Sequence, residues 1–490
     1  MGDALGLKGR RYFYLSEVQN IFATPDKPLR LLILADDAHP ANVVQDHIRS
    51  FSKYSRHRVS VINTRSVKSP DQNATSDFDA LLIHYSIFVI AETYLSVAWQ
   101  EFISIFPGPV AVIHEDEYQK INAFTQKFAE LGVQAVFSCL DSIDTLERVY
   151  GKSALPSETL FFSCLPGYIV PHLPGISPPP IVGRPFDIVY RGRTLRPELG
   201  RFAQEKRLIG EQVLAVAPAH GLVCDISSAE EDRIYGNQWP AFLMSGKAML
   251  GVEGGASIFD FDGTISEAVS SYLQAHPCAE FEDIWKDVLA EHEGNIQFRT
   301  ITPKFFEAIA AKTVLILYPG KYSDVLIPDR HYIPLARDGS NMQDVVTKLK
   351  DHLYLQAMAD RAYAEVLPRA ELEISFYVNQ IDRVLSALSK YTPASKLLRM
   401  GISGRAFQHR LELKLAATLE ELAATRQQLS LGELQLMSAL QELQTNKLQL
   451  HLIRESLDDL HKKVSSEAHF IELFKNMLSS KLKRLLKYKK

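Results

Sequence analysis

Hydrophobic and polar positions follow two rhythms along this chain. From Leu29 to about Leu165, short runs apolar on both faces alternate with longer amphipathic stretches. Leu29–Ala35, Arg58–Ile62, Asp79–His84, Pro109–His114 and Gln134–Ser138 read as strands, with Asn42–Tyr54 as the first helix between them. A run with no polar alternation suits a strand covered on both faces, as in a parallel sheet. Strand and helix in regular succession predict a doubly wound α/β domain over 29–170, preceded by an extension over 1–28.

The segment Pro171–Pro180 holds five prolines in ten residues. Proline neither donates to a ladder nor continues a helix, so 171–186 is expected to be a semi-rigid hinge. Strands resume at Asp187–Tyr190, Leu222–Cys224, Ala248–Val252 and Thr313–Tyr318, with a helix at Pro303–Ala311. These predict a second doubly wound domain over 187–355, closed by helices over 356–404. Two such domains enclose a cleft at the carboxyl ends of their strands, where small ligands bind.

The second rhythm has a period of seven. Leu415, Leu422, Leu429, Leu436, Leu443, Leu450 and Leu457 fall in strict register, with Val464 next. This predicts a long coiled-coil helix over 405–469, self-associating through 415–464. Arg426, Glu433, Lys447, Arg454 and His461 interrupt the companion stripe and weaken it. A helix folded back on its own body is the alternative.

Composition narrows the classes. Of 490 residues, 46% are hydrophobic and 23% charged, which excludes wholesale disorder and a fibrous chain. The net charge of -4 is no polycation's, and no nucleic-acid partner is expected. Residues 471–490 differ, with seven basic side chains against Glu472 alone. Phe470–Lys490 interleaves these cations with leucines, so the tail is expected to reach an anionic membrane surface or a protein partner. Cys139, Cys164, Cys224 and Cys278 have no paired spacing, which points to a reducing compartment and away from a zinc ribbon. With no secretory h-region after Arg10 and Arg11 and no apolar run near ~18 residues, the expected location is cytoplasmic. The tail adds a peripheral position at the inner face of a membrane.

The richest stretch is Lys304-Phe-Phe-Glu307-Ala-Ile-Ala, a helix running into the strand at Val314 and a Pro-Gly turn. A carboxylate on such a helix can hold the two hydroxyls of a ribose while backbone amides hold phosphate, or it can simply stabilise its own helix. With Asp187-Ile-Val-Tyr-Arg-Gly-Arg193, Gln204-Glu-Lys206 and Leu250-Gly-Val-Glu-Gly-Gly-Ala-Ser257, it resembles the nucleotide-sugar half of a two-domain GT-B glycosyltransferase. The nearest resemblance is to the family-1-type glycosyltransferases related to the spore-maturation group. It implies two Rossmann-like domains facing a cleft, with a nucleotide diphosphate sugar as donor substrate. It also implies Glu307 as ribose ligand, Arg191, Arg193 and Lys206 as pyrophosphate ligands, and Gly192, Glu253 and Lys304 in the same donor-binding set. Fixed cations can stabilise a leaving diphosphate, so neither a metal nor a further cofactor is expected. One departure stands out: retaining members often carry Glu eight residues before the ribose ligand, and here that position is Arg299.

A general base is expected from the first domain, just after its strands, with Asp116 and His114 leading and His39 behind them. The acceptor is expected to be a glycan or a lipid-linked molecule in cell-surface polysaccharide biosynthesis. Two readings compete. In one the α/β body is catalytically idle and the coiled coil is a scaffold. In the other, Asp260 and Asp262 of Ser257-Ile-Phe-Asp-Phe-Asp-Gly-Thr264 resemble the nucleophile and acid/base of haloacid-dehalogenase-type phosphatases, though only Ile258 and Phe259 supply a strand before them.

Overall fold

The computed structural model describes residues 11–70 and 77–390, apart from 171, 176 and 237, together with 444, 447–452, 454–455 and 479. The coiled coil predicted over 405–469 lies largely outside the described residues, and the basic tail almost wholly so.

Among the described residues, fourteen short strands form three sheets. The first lobe holds β1 (Tyr12–Tyr14), β2 (Arg30–Leu34), β3 (Arg58–Ile62), β4 (Ala80–Ile83), β5 (Val110–His114), β6 (Ala135–Ser138) and β7 (Leu160–Ser163). All pair in parallel, in the order β1-β7-β6-β5-β4-β2-β3. Alternate residues serve opposite faces: Leu32, Leu34, Leu81 and Ile83 enter one core, and Leu31, Ile33, Ala80 and Leu82 the other. Helices Asn42–Tyr54, Val97–Ile105, Ile121–Glu130 and Ile143–Tyr150 cover the two faces. Ser96 and Ser142 start two of them by accepting from Trp99 N and Thr145 N.

The expected extension over 1–28 is in part a strand. Tyr12 and Phe13 stack on Phe161 and Phe162 of β7 at centroid distances of 5.2 and 5.5 Å, so three aromatic residues add an edge to the sheet. Three residues are too few for a periodic signal.

The second lobe holds β8 (Phe186–Arg191), β9 (Cys224–Ser227), β10 (Gly246–Gly251), β13 (Val314–Leu317) and β14 (Tyr332–Pro334), all parallel, in the order β14-β13-β10-β8-β9. The strand expected at Leu222–Cys224 starts later because the preceding helix is still ending there. Gly221 takes the left-handed conformation (φ 64°) and Leu222 N bonds Ala217 O. Between β10 and β13 the chain makes an antiparallel ribbon, β11 (Gly254–Ala256) with β12 (Phe298–Thr300). The residues between these strands lean on the first lobe. Phe259, Ile296 and Phe298 enter its core, and Tyr118 O, Lys120 N and Asn122 N bond the backbone of Asp260 and Phe261.

The chain crosses between lobes twice. Ile169 pairs with Leu372 and Ile374 where the two crossings run together. The helices expected as one closing segment over 356–404 therefore divide. His352–Val366 packs on the second lobe, whereas Ile374–Ser389 returns to the first, where Asp382 accepts from Ser55 Oγ and Arg56 N.

The proline-rich connector is pinned to the second lobe. Leu173 and Ile181 are buried, and the Arg184 guanidinium donates to Pro179 O, Gly246 O, Ala311 O and Thr313 Oγ1. Its burial draws the Arg184 pKa down to about 10. Replacing Arg184 with Met strands three carbonyls in a dry site. The expected cost is about 3 kcal/mol of unfolding free energy, read from the urea midpoint at unchanged m-value.

Candidate functional site

The candidate residues come from strand ends, from the loops that follow them and from helices Arg201–His220 and Pro303–Ala310. On the second lobe β8 ends in Arg191, followed by Gly192 and Arg193. Arg191 is spent on its own lobe: it meets Asp225 Oδ1 at 2.8 Å, donates to Asp232 O, and lies 4.4 Å over Phe242. The structure thus holds it away from the pyrophosphate role that the resemblance implied. Gly192 has a steric reason, since a Cβ there would stand 2.8 Å from Lys206 O and 2.5 Å from Ser228 Oγ. That close approach brings helix Arg201–His220, and Lys206 with it, against the end of β8.

Arg193, Lys206 and Lys304 differ from Arg191. Among the described residues none of the three has a carboxylate at ion-pair distance. Lys206 is half-buried, and its pKa is lowered by burial and by Arg193, against the attraction of Asp116. Lys304 comes from the first turn of helix Pro303–Ala310 and lies 4.8 Å over the Tyr190 ring. Burial, then the nearby Lys206, draws it down to about 7, with Glu307 opposing. Glu307 stands one turn further on, where its Oε2 accepts from Trp239 Nε1 at 2.7 Å. Burial raises its pKa, and so does Asp46 of the first lobe. Trp239 had no periodic signal to mark it.

Glu253 follows β10 and is buried. Its Oε1 accepts from Lys321 N and Tyr322 N and so fixes the loop after β13, while Oε2 has no hydrogen-bond partner. Gly320 makes room, since a Cβ there would collide with Oε2. Burial raises the Glu253 pKa despite Arg299, whose guanidinium is 3.9 Å away. Arg299 therefore partners a carboxylate that comes from β10. Tyr322, Ser323 and Asp324 all have positive φ, a left-handed turn of three non-glycine residues in the same loop. Lys321 in this loop is felt by Asp141 of the first lobe. The only signal for it was the Pro-Gly turn before it.

On the first lobe Asp116 is exposed, with φ 62°, and accepts from Tyr118 OH. Its charge reaches Lys206 across the cleft. His114 lies inside the lobe, 4% exposed, packed on Phe124 and Phe128 with Nδ1 against Tyr150 OH. Burial draws it down to about 3, and from this position it cannot meet a substrate. His39 is half-buried, and its Nδ1 accepts from Ala41 N, so the neutral ring carries its proton on Nε2 and presents a donor. Neither histidine offers the cleft the lone pair a base needs. The structure thus brings together Asp116, Arg193, Lys206, Lys304 and Glu307, and leaves Arg191, His114 and His39 outside that group.

The phosphatase-like motif is occupied structurally. Asp260 is 1% exposed; its Oδ1 accepts from Gly263 N and Ile265 N, and its Oδ2 from Ser266 N and Ser266 Oγ. It fastens the start of helix Thr264–Ala275, and no lone pair is left to attack phosphorus. Asp262 accepts from Thr264 N and Oγ1. Among the described residues no group of three or more His, Cys, Asp or Glu side chains could hold a metal ion, and no helix is long and apolar enough to cross a membrane.

Glu117 shows what burial without a cation does. Its Oε1 accepts from Ser138 Oγ and Cys139 N, its Oε2 has no partner, and burial pushes it up to about 8. The folded protein keeps this proton between about 4.5 and 8, where the unfolded chain has lost it, so stability falls as pH rises through that window. Glu117→Gln should remove the loss. Melting curves at pH 5 and pH 8 should show the variant gaining on the parent at the higher pH.

No family model matches this chain, and no curated protein does. Among solved structures, an alpha-glucosyltransferase in complex with UDP-glucose and DNA containing an abasic site aligns at TM-score 0.43 and 11% identity, covering 73% of this chain and 100% of that one. Anabaena Alr3699/HepE in complex with UDP-glucose aligns at 0.38 and 9%, covering 72% and 98%. TarM of S. aureus, as a point mutant in complex with UDP, aligns at 0.35 and 8%, covering 62% and 55%. Likenesses this distant carry no argument for this chain, whose chemistry rests on its own geometry.

Proposed function

We propose that this chain is a nucleotide-sugar-dependent glycosyltransferase of the two-lobed GT-B kind. The observation that carries the reading is the set of cations without carboxylate partners, Arg193, Lys206 and Lys304, beside Glu307 and opposite Asp116. Lys206 and Lys304, half-buried and with no carboxylate at ion-pair distance among the described residues, together with the exposed Arg193, suit a ligand with two adjacent phosphates. Glu307, half-buried and oriented by Trp239, would accept the hydroxyls of a ribose in this reading. As the bond from the anomeric carbon to the diphosphate oxygen breaks, the leaving group gains charge, and the same cations stabilise it where water is scarce. In this reading Asp116 takes the proton of the acceptor hydroxyl as its oxygen bonds the sugar. Glu253 holds the loop after β13, and with it the shape of the donor pocket.

Calorimetry with a panel of nucleotide sugars tests the reading. At least one donor should bind, and Glu307→Ala should weaken it about tenfold or more, a loss near 1.4 kcal/mol. No binding by any donor, or equal affinity in the variant, would sink the assignment.

Lys304 supplies a second test. With its pKa near 7 it is largely neutral at pH 8, whereas a bound diphosphate favours the charged ammonium. Donor binding should therefore take up as much as about one proton at pH 8 and close to none at pH 6. Titrations in buffers of different ionisation enthalpy read this directly, and Lys304→Met should abolish the uptake.

A further inference from the structure

Building on the donor reading, we propose that the first-lobe half of the cleft takes an uncharged carbohydrate end as acceptor and rejects acceptors bearing phosphate beside the reacting hydroxyl. At the end of β4 two buried histidines are joined side by side. Ser86 N donates to His84 Nδ1 at 3.1 Å, and a backbone N–H can only donate, so the His84 proton sits on Nε2. From there it is donated to His47 Nδ1, 2.8 Å away. Burial holds both rings neutral, His47 down to about 3 and His84 well below its ordinary value, so neither adds positive charge to this wall.

The imidazole pair carries Tyr85. Its ring lies 4.1 Å from His84 and 5.3 Å from His47, and it is half-buried, with the carboxyl groups of Glu115 and Asp116 among its surroundings. An aromatic face flanked by carboxyl oxygens offers a sugar a surface for its C–H groups and acceptors for its hydroxyls. Burial and then its acidic neighbours push Glu115 well up.

Charge decides the class of acceptor. The first-lobe groups felt by Glu307 and Lys206 across the cleft are Asp46 and Asp116, both carboxylates. Arg65, the cation that follows β3, is committed to Asp36 at 2.6 Å. A phosphate placed against this wall meets like charge from Asp46 and Asp116, and that repulsion is a specificity device. The cations stand on the opposite wall, where the donor needs them.

The test uses the full chain saturated with whichever of UDP, GDP or ADP binds. Maltotriose, cellotriose and chitotriose are compared by calorimetry with their counterparts phosphorylated at O6 of the terminal sugar. At least one neutral probe should bind, and its phosphate ester should bind about tenfold or more weakly at low salt. The gap should narrow at high salt, as screening shortens the reach of Asp46 and Asp116. Asp46→Lys should narrow it too, and Tyr85→Ala should weaken the neutral probe about tenfold. Phosphorylated probes binding as well as or better than neutral ones, with a nucleotide bound, would overturn the acceptor proposal and leave the donor reading intact. Failure of every nucleotide to bind would overturn both.

Discussion

Positive charge without a partner is the constraint around which this cleft is built. Lys206 and Lys304 stand close enough to repel each other, both partly withdrawn from water, with no carboxylate at ion-pair distance among the described residues. A fold left to maximise its own stability would pair such groups or expose them. Elsewhere on the same lobe it does pair them: Arg191 with Asp225, Lys247 with Asp187, Arg337 with Glu205. Arg191, at the end of β8, is paired with Asp225, and Arg193, two positions on, is exposed, whereas Lys206 and Lys304 are neither paired nor fully exposed.

Holding like charges together requires a frame that cannot relax away from them. The second lobe supplies it with a five-stranded parallel sheet buried on both faces, a connector clamped by Arg184, and the Glu253 carboxylate tying down the loop after β13. The first lobe is fixed relative to it by the Ile169 pairing, the returning helix Ile374–Ser389, and the backbone bonds of Tyr118–Asn122 to Asp260 and Phe261. Asp260 thus has a physical role unlike the one its motif suggests. Its carboxylate secures a helix start, and its backbone joins the lobes beside the loop that carries Asp116.

The fold was legible wherever a buried strand left an unbroken apolar run, as in Leu31–Leu34 or Val314–Leu317. It was illegible at β1 and β14, three-residue edge strands whose placement comes from aromatic stacking and pairing rather than from period. In the candidate site, Lys304 and Glu307 were marked by helix position and Lys206 by its motif. Their environment was not, because burial and neighbours from the other lobe depend on tertiary contacts. His114 shows the limit best. Alternation after a strand cannot say which residue of His114-Glu-Asp-Glu117 points inward, and a one-residue difference exchanges core for cleft.

A left-handed residue, not strand alternation, lets one short loop face both the interior and the cleft. His114 and Glu117 turn into the first lobe, where burial keeps the imidazole neutral and the carboxyl protonated. Asp116 is itself left-handed and turns out to solvent, within electrostatic reach of Lys206. An acidic face thus meets a basic one across the gap, each lobe supplying the sign the other lacks. A donor diphosphate would neutralise the basic face, and the attraction between Lys206 and Asp116 would weaken as it binds.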